Sequence, residues 1–229
     1  MIKSVVFDLD GTLYEEKEFV MSGFKAVSKY LSSKHGLNPT EIFETLMSDF
    51  ERGLRRKNFD VLLEKLGLKE NVEKLVNTYR THTPDISLYK DAKKILPELK
   101  CKYKLGLITD GRKKTQENKI SALGITEYFD VIIITYAYGR DYWKPSSKPF
   151  KIALDKLGVV PEESIYVGDD PAKDFFGAKK LGIHTVRVKR GRGEYDHINV
   201  NDEYEADYTI PNLLTLKVII DQINSGRDK

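Results

Sequence analysis

Two carboxylates at alternate positions, Asp8 and Asp10, close the first apolar stretch of the chain, Ser4-Val5-Val6-Phe7, and lead into Gly11-Thr12. The stretch is β-branched and aromatic, with no room for a helix before Gly11, so it reads as a buried strand. Alternate residues on an extended chain point the same way. Both acids therefore face one small volume at the strand's end. Like charges held together are unfavourable unless a cation lies between them or one stays protonated. A hard, oxygen-seeking divalent cation meets that need, and a carboxylate beside a metal can serve as a nucleophile that forms an acyl phosphate. Gly11 permits a sharp turn and Thr12 can tie it with a local hydrogen bond. Alone, such a segment also reads as a strand ending in a polar turn, so its meaning depends on partners further along the chain.

Those partners stand at the ends of later strands. Thr109-Asp110-Gly111 offers a hydroxyl and two backbone amides at the opening of a helix, an arrangement suited to a phosphate oxygen. Trp143-Lys144-Pro145 brings a cation after a long turn, with Lys148 as a second lysine at the next helix start. Gly168-Asp169-Asp170-Pro171-Ala172-Lys173-Asp174 brings a further acidic cluster, in which Asp169 is the better metal ligand and Asp170 either shares the site or caps the following helix. In open parallel sheets ligands bind at the carboxyl ends of strands near the switch in strand order. A nucleophile, a hydroxyl, a cation and an acidic cluster, each at a strand end, make one constellation.

The elements that must carry these groups follow from periodicity. Apolar residues recur at helical spacing through Phe19, Phe24, Val27 and Leu31, then Ile42, Leu46 and Phe50, then Phe59, Leu62 and Leu63, then Val72, Leu75 and Val76. Asn38-Pro39 reads as an N-cap with proline in the first turn. Residues 15–87 thus form an inserted all-helical domain, and residues 1–14 with 88–229 form an α/β core. In the core, strands are expected over Tyr103–Thr109, Asp130–Thr135, Ser164–Val167, His184–Val188 and Tyr208–Ile210. Helices are expected over Asp91–Lys100 (kinked or shortened by Pro97), Arg112–Leu123, Lys148–Leu157, Ala172–Leu181 and Leu213–Ile223. Fully apolar strands alternating with amphipathic helices imply an α/β fold, a Rossmann-like parallel sheet flanked by helices on both faces.

Composition narrows the function. With 38 basic against 35 acidic residues the net charge is +3, too balanced for a nucleic-acid or membrane-surface binder. At 229 residues the chain needs no covalent staples. Cys101 is the single cysteine, which excludes an intrachain disulfide and a Cys-based zinc site, and fits a cytoplasmic setting. No leader segment and no membrane-length apolar run is evident. The four histidines show no metal-ligand spacing, and the basic run Lys189-Arg190-Gly191-Arg192-Gly193 reads as a solvated loop.

Asp-x-Asp-Gly-Thr near the start, then Thr109, then Lys144-Pro145, then Gly168-Asp169 with Asp174, resembles the four motifs of the haloacid dehalogenase-like (HAD) hydrolase superfamily. The helical insertion resembles the cap domain of its phosphoglycolate-phosphatase-like branch. Ser146-Ser147 departs from the acidic-proline pair usual after the lysine, outside the catalytic set. The resemblance implies a Mg²⁺-dependent phosphatase acting on a small phosphorylated metabolite, with the cap closing over the substrate. It implies Asp8 as the nucleophile that becomes an aspartyl phosphate, and Asp10 as the acid that protonates the leaving oxygen and then activates water. It further implies Asp8, Asp169 and the Asp10 carbonyl as metal ligands, Thr109 and Lys144 (with Asp110 and Gly111) as phosphoryl-binding groups, and Asp174 as the residue orienting Lys144 or metal-bound water. The dehalogenase branch lacks the second acid, so Asp10 weighs against it. A phosphomutase keeps all four motifs, and a phospho-acceptor regulatory domain is the alternative of another class. Among triose phosphates, phosphoglycolate, sugar phosphates and nucleoside monophosphates, glyceraldehyde 3-phosphate is placed first.

Overall fold

The computed structural model describes residues 1–226. In chain order come β1 (Ser4–Phe7), α1 (Glu16–His35), α2 (Pro39–Glu51), α3 (Asn58–Leu66), α4 (Val72–Thr81) and α5 (Lys90–Lys100). Then follow β2 (Lys104–Thr109), α6 (Lys113–Leu123), β3 (Val131–Ile134), α7 (Lys148–Leu157) and β4 (Ser164–Gly168). The chain continues with α8 (Phe176–Lys179), β5 (His184–Val188), β6 (Tyr208–Ile210) and α9 (Leu216–Asn224). The strands pair in parallel as one sheet, in the order β3-β2-β1-β4-β5-β6. This is the Rossmann-like parallel sheet that the apolar strands imply. Every residue of β1 is buried, as expected for a strand covered on both faces. β1 pairs with β2 on one side and with β4 on the other, so the strand order switches there. The carboxyl ends of β1 and β4 accordingly border the crevice where such sheets bind ligands.

Lys17–Ile86 forms one compact unit, and the residues before and after it form another. The helical unit has its own core, in which Phe24, Val27 and Leu31 of α1 meet Ile42 and Leu46 of α2, Phe59, Leu62 and Leu63 of α3, and Leu75 of α4. Asn38 and Asn71 cap α2 and α4, their side chains accepting from the amides of Thr40 and Glu73. Each thereby satisfies an amide that the first helical turn leaves unpaired.

In the α/β unit, α7 lays Phe150, Ala153, Leu154 and Leu157 into a cluster with Ile108, Ile133 and Tyr166 from the sheet. Gly177 of α8 fits closely against the loop before α7, where a Cβ would lie 2.4 Å from the Pro145 carbonyl oxygen and 2.8 Å from that of Ser146. Backbone cannot move aside as a side-chain tip can. Gly177→Ala should therefore destabilise the protein by about 1–3 kcal/mol, read as a lower urea midpoint at unchanged m. An unshifted midpoint would show that the loop yields.

Two expected helices differ. Residues 172–181 do not form one helix: α8 spans only Phe176–Lys179. The Asp174 carboxylate instead turns back to accept from the amides of Asp169 (3.2 Å) and Asp170 (3.0 Å), which keeps the preceding segment a tight turn. Conversely, α5 runs to Lys100 through Pro97. The proline lies in the last turn, where its missing N–H forfeits one bond, and Ile95, Leu96 and Leu99 bury the helix regardless.

Candidate active site

Asp8 leaves the end of β1 with its carboxylate almost fully buried, which is costly unless the charge is paired. Its partner is Lys144, whose Nζ donates to Asp8 Oδ1 at 2.5 Å, to Asp174 Oδ1 at 2.6 Å and to the Tyr166 hydroxyl oxygen at 3.0 Å. The Lys144 side chain is 0% exposed, so these three bonds use all three of its ammonium hydrogens. Burial works against the charged ammonium, but Asp174 and Asp8 outweigh it and raise the pKa. Asp174 is equally engaged, with Oδ1 on Lys144 and the Tyr166 hydroxyl and Oδ2 on the two backbone amides. It holds the lysine and the turn together.

The second oxygen of Asp8 is different. Oδ2 is buried and has no hydrogen-bond partner among the described residues. Burial pushes the Asp8 pKa up to about 7; Lys144 opposes the rise and Asp174 adds to it. Asp169 stands nearby at the end of β4, accepting from the Thr12 hydroxyl at 3.2 Å. Burial first, then Asp8 and Asp174, drive its pKa well up. Gly11 makes this approach possible, since a Cβ there would fall 2.0 Å from Asp169 Oδ2. Oxygens of Asp8, Asp169 and Asp174 lie within 4.8 Å of one another. An orphaned buried oxygen beside a second buried carboxylate fits a hard divalent cation. Asp8 and Asp169 are the residues with oxygens to offer, because those of Asp174 are already bonded.

Asp10 faces a separate cluster that spacing alone did not reveal. Lys119 Nζ donates to its Oδ1 at 2.6 Å, the Tyr14 hydroxyl donates to the same oxygen, and Gln116 Nε2 donates to its Oδ2 at 2.9 Å. Burial would raise the Asp10 pKa, but the charge and hydrogen bond of Lys119, with those of Tyr14 and Gln116, lower it. Gln116 also donates to Thr109 Oγ1 at 2.5 Å, so the Thr109 hydroxyl hydrogen is left to donate elsewhere. Gln116 and Lys119 sit three apart on α6, and this pairing is the only trace they leave in the sequence.

Of the remaining expected residues, Gly111 adopts φ +141° and lies against the Gln116 side chain. The Asp110 carboxylate accepts from the Thr135 hydroxyl (2.5 Å) and the Lys144 amide (3.3 Å). These bonds tie β3 and the lysine loop to the end of β2. Asp170 caps the turn through the Ala172 amide at 3.0 Å. Lys148 is paired loosely with exposed Asp141 at 3.5 Å, away from this network. Arg190 is not solvated as expected. Its side chain is 14% exposed and donates to Asp91 Oδ2 (2.7 Å) and the Thr12 carbonyl (3.0 Å), over the Tyr89 ring.

A family model described as haloacid dehalogenase-like hydrolase matches residues 5–188. The glyceraldehyde 3-phosphate phosphatase of Methanocaldococcus jannaschii is 35% identical over 96% of this chain and 97% of its own length. The pyrophosphatase PpaX of Halalkalibacterium halodurans is 28% identical over 94% of this chain and 96% of its own. The crystal structure of a HAD phosphatase from Thermococcus onnurineus aligns with TM-score 0.63 at 30% identity, covering 96% of this chain and 98% of that one.

Proposed function

The chain belongs to the haloacid dehalogenase-like hydrolases, and from that membership we propose that it is a Mg²⁺-dependent phosphatase working through an aspartyl phosphate on Asp8. The observation that carries this reading is the pair of unlike acids after β1. Asp8 is locked by Lys144 with one oxygen left over, and Asp10 is held ionised by Lys119 and joined through Gln116 to Thr109. Lys144 holds the Asp8 carboxylate in place, so that one of its oxygens is presented to the phosphorus and the other to the cation. The Thr109 hydroxyl and the amides after it bind phosphoryl oxygens. Asp10, which must first take up a proton from solvent as the substrate's dianion adds negative charge beside it, gives that proton to the leaving oxygen and then, as the carboxylate that Lys119 favours, takes one from the water that cleaves the aspartyl phosphate. Mg²⁺ held by Asp8, Asp169 and the Asp10 carbonyl would neutralise charge on the phosphoryl oxygens. Lys17–Ile86 is the proposed cap domain, and the proposed setting is cytoplasmic.

Glyceraldehyde 3-phosphate is the proposed substrate, because the M. jannaschii relative bears that activity in its name at 35% identity over nearly the whole chain. The H. halodurans relative makes pyrophosphate the second reading. The test is phosphate release from glyceraldehyde 3-phosphate, phosphoglycolate, sugar phosphates, nucleoside monophosphates and pyrophosphate, with and without Mg²⁺. The expected result is metal-dependent release with the highest kcat/KM on glyceraldehyde 3-phosphate. A preference for pyrophosphate would replace the substrate, and no release from any compound would reject the phosphatase. Asp10→Asn should lower kcat by about 10²–10⁴-fold. A loss under about ten-fold would remove Asp10 from proton transfer.

A further inference from the structure

Lys144 is the cation that motif spacing assigns to the phosphoryl group, yet its three hydrogens are already committed to Asp8, Asp174 and Tyr166. Keeping both acids, it can release only the hydrogen held by the neutral Tyr166 hydroxyl, one donor for a phosphoryl group with three non-bridging oxygens. A second lysine belongs to the acidic turn that holds Lys144. Lys173 lies in the tight turn between Asp170 and Asp174, its amide donating to the Asp170 carbonyl at 3.2 Å, and among the described residues its side chain makes no hydrogen bond. Its one ion pair, with Asp170 Oδ2, is long at 3.6 Å. The side chain remains 28% exposed, so solvent and solute reach it. Burial lowers its pKa, but Asp8, the acid acting on it most strongly, and Asp174 raise it well above the ordinary value. Its ammonium is thus charged and its hydrogens are uncommitted, and it stands in the turn whose Asp174 carboxylate holds Lys144 against Asp8.

The surroundings keep it there. The Tyr195 ring centroid lies 5.5 Å from Lys173 Nζ. The Tyr195 loop is pinned by Arg187, a buried arginine of β5 that donates to the Tyr195 carbonyl at 2.8 Å and the Ile198 carbonyl at 3.1 Å. Arg187 is in turn paired with Glu205 at 2.9 Å. A long, flexible lysine held beneath an aromatic ring on an anchored loop loses fewer conformations on binding an anion than a free one would.

We propose that Lys173 is a substrate-binding residue of this site, donating to a non-bridging oxygen of the substrate's phosphoryl group while Lys144 stays bound to Asp8 and Asp174. The proposal rests on the phosphatase reading for its ligand. The chemistry recognised is a phosphate dianion, and the probe is inorganic phosphate titrated calorimetrically into Mg²⁺-loaded wild type, Lys173→Met and Lys173→Arg. Mg²⁺ affinity of each protein is measured separately. Losing a charge-assisted bond should raise the phosphate Kd of Lys173→Met about ten-fold or more, and Lys173→Arg should recover part of it. Mg²⁺ should bind Lys173→Met as tightly or more tightly, since a cation beside Asp8 has gone. A structural role would instead weaken both ligands together and lower Tm, and that pattern overturns the proposal. Equal phosphate affinity in wild type and Lys173→Met, or no phosphate binding by wild type, also overturns it. An active wild type whose Lys173→Met variant keeps its KM would reject the role of Lys173 and leave the phosphatase standing. A wild type inactive on every ester, but with Lys173-dependent phosphate binding, would reject the phosphatase and keep the anion site.

Discussion

Asp8→Asn is expected to abolish phosphate release, with kcat falling on the order of 10⁴-fold or more, while the protein stays folded. The side chains are nearly isosteric, and the Asn carbonyl oxygen can still accept from Lys144, which holds Asp8 Oδ1 at 2.5 Å. What disappears is the anionic oxygen. The neutral carboxamide is not a competent nucleophile toward phosphorus, and it binds a divalent cation more weakly than a carboxylate does. Stability should change little without metal, because one member of a crowded group (Asp8, Asp169 and Asp174, with oxygens within 4.8 Å of one another) has become neutral. Lys144 keeps Asp174 at 2.6 Å as a counter-ion. The experiment pairs steady-state release with Tm, each with and without Mg²⁺. A kcat within about ten-fold of wild type, in a folded protein, would remove Asp8 as the nucleophile.

Lys144→Met should have the opposite balance, a large loss of stability along with the loss of turnover. Among the described residues Lys144 is the one cation bonded to both Asp8 and Asp174, and all three side chains are buried. Removing one partner from such a network leaves uncompensated charge, typically about 3–5 kcal/mol. The pH dependence has a definite sign. In the wild-type protein without metal, the folded pKa of Asp8 is raised from 3.8 to about 7. Folding therefore favours its proton, and stability from this group declines as pH rises through that window. Without Lys144 the Asp8 pKa must rise further, so the deficit of the variant should be smallest near pH 4 and largest at neutral pH and above. Urea unfolding of both proteins across this range, free of metal, measures it. A deficit independent of pH would mean that Lys144 stabilises by packing and not by charge.

How much of this could be read along the chain depends on the range over which each signal acts. The alternation of Asp8 and Asp10 at a strand end is a property of a few adjacent residues. So are the cap at Asn38, the apolar stripes of the helical insertion and the apolar runs of β2 and β3. The four chemistry-bearing segments likewise stand after strands, where the α/β rhythm places them, and the structure leaves each one there.

Tertiary structure alone decided which side chains meet. Lys144 reaches Asp8 across 136 positions because β1 pairs with both β2 and β4, bringing the loops after β3 and β4 to the same sheet end. Gln116 and Lys119 carry no motif. They serve Asp10 because α6 presents that face to it over separations of 106 and 109 positions. The expected helix over 172–181 gave way because Asp174 took the amides that begin the turn, a competition that helical periodicity does not register. Arg190 looked solvated in a Gly- and Arg-rich run, and its burial required Asp91 and the Thr12 carbonyl to arrive from elsewhere. Spacing along the chain determined which chemical groups stand at strand ends. Strand order and burial then determined which lysine is spent on holding the nucleophile and which is left with donors to give, because hydrogen-bond saturation is a property of neighbours in space.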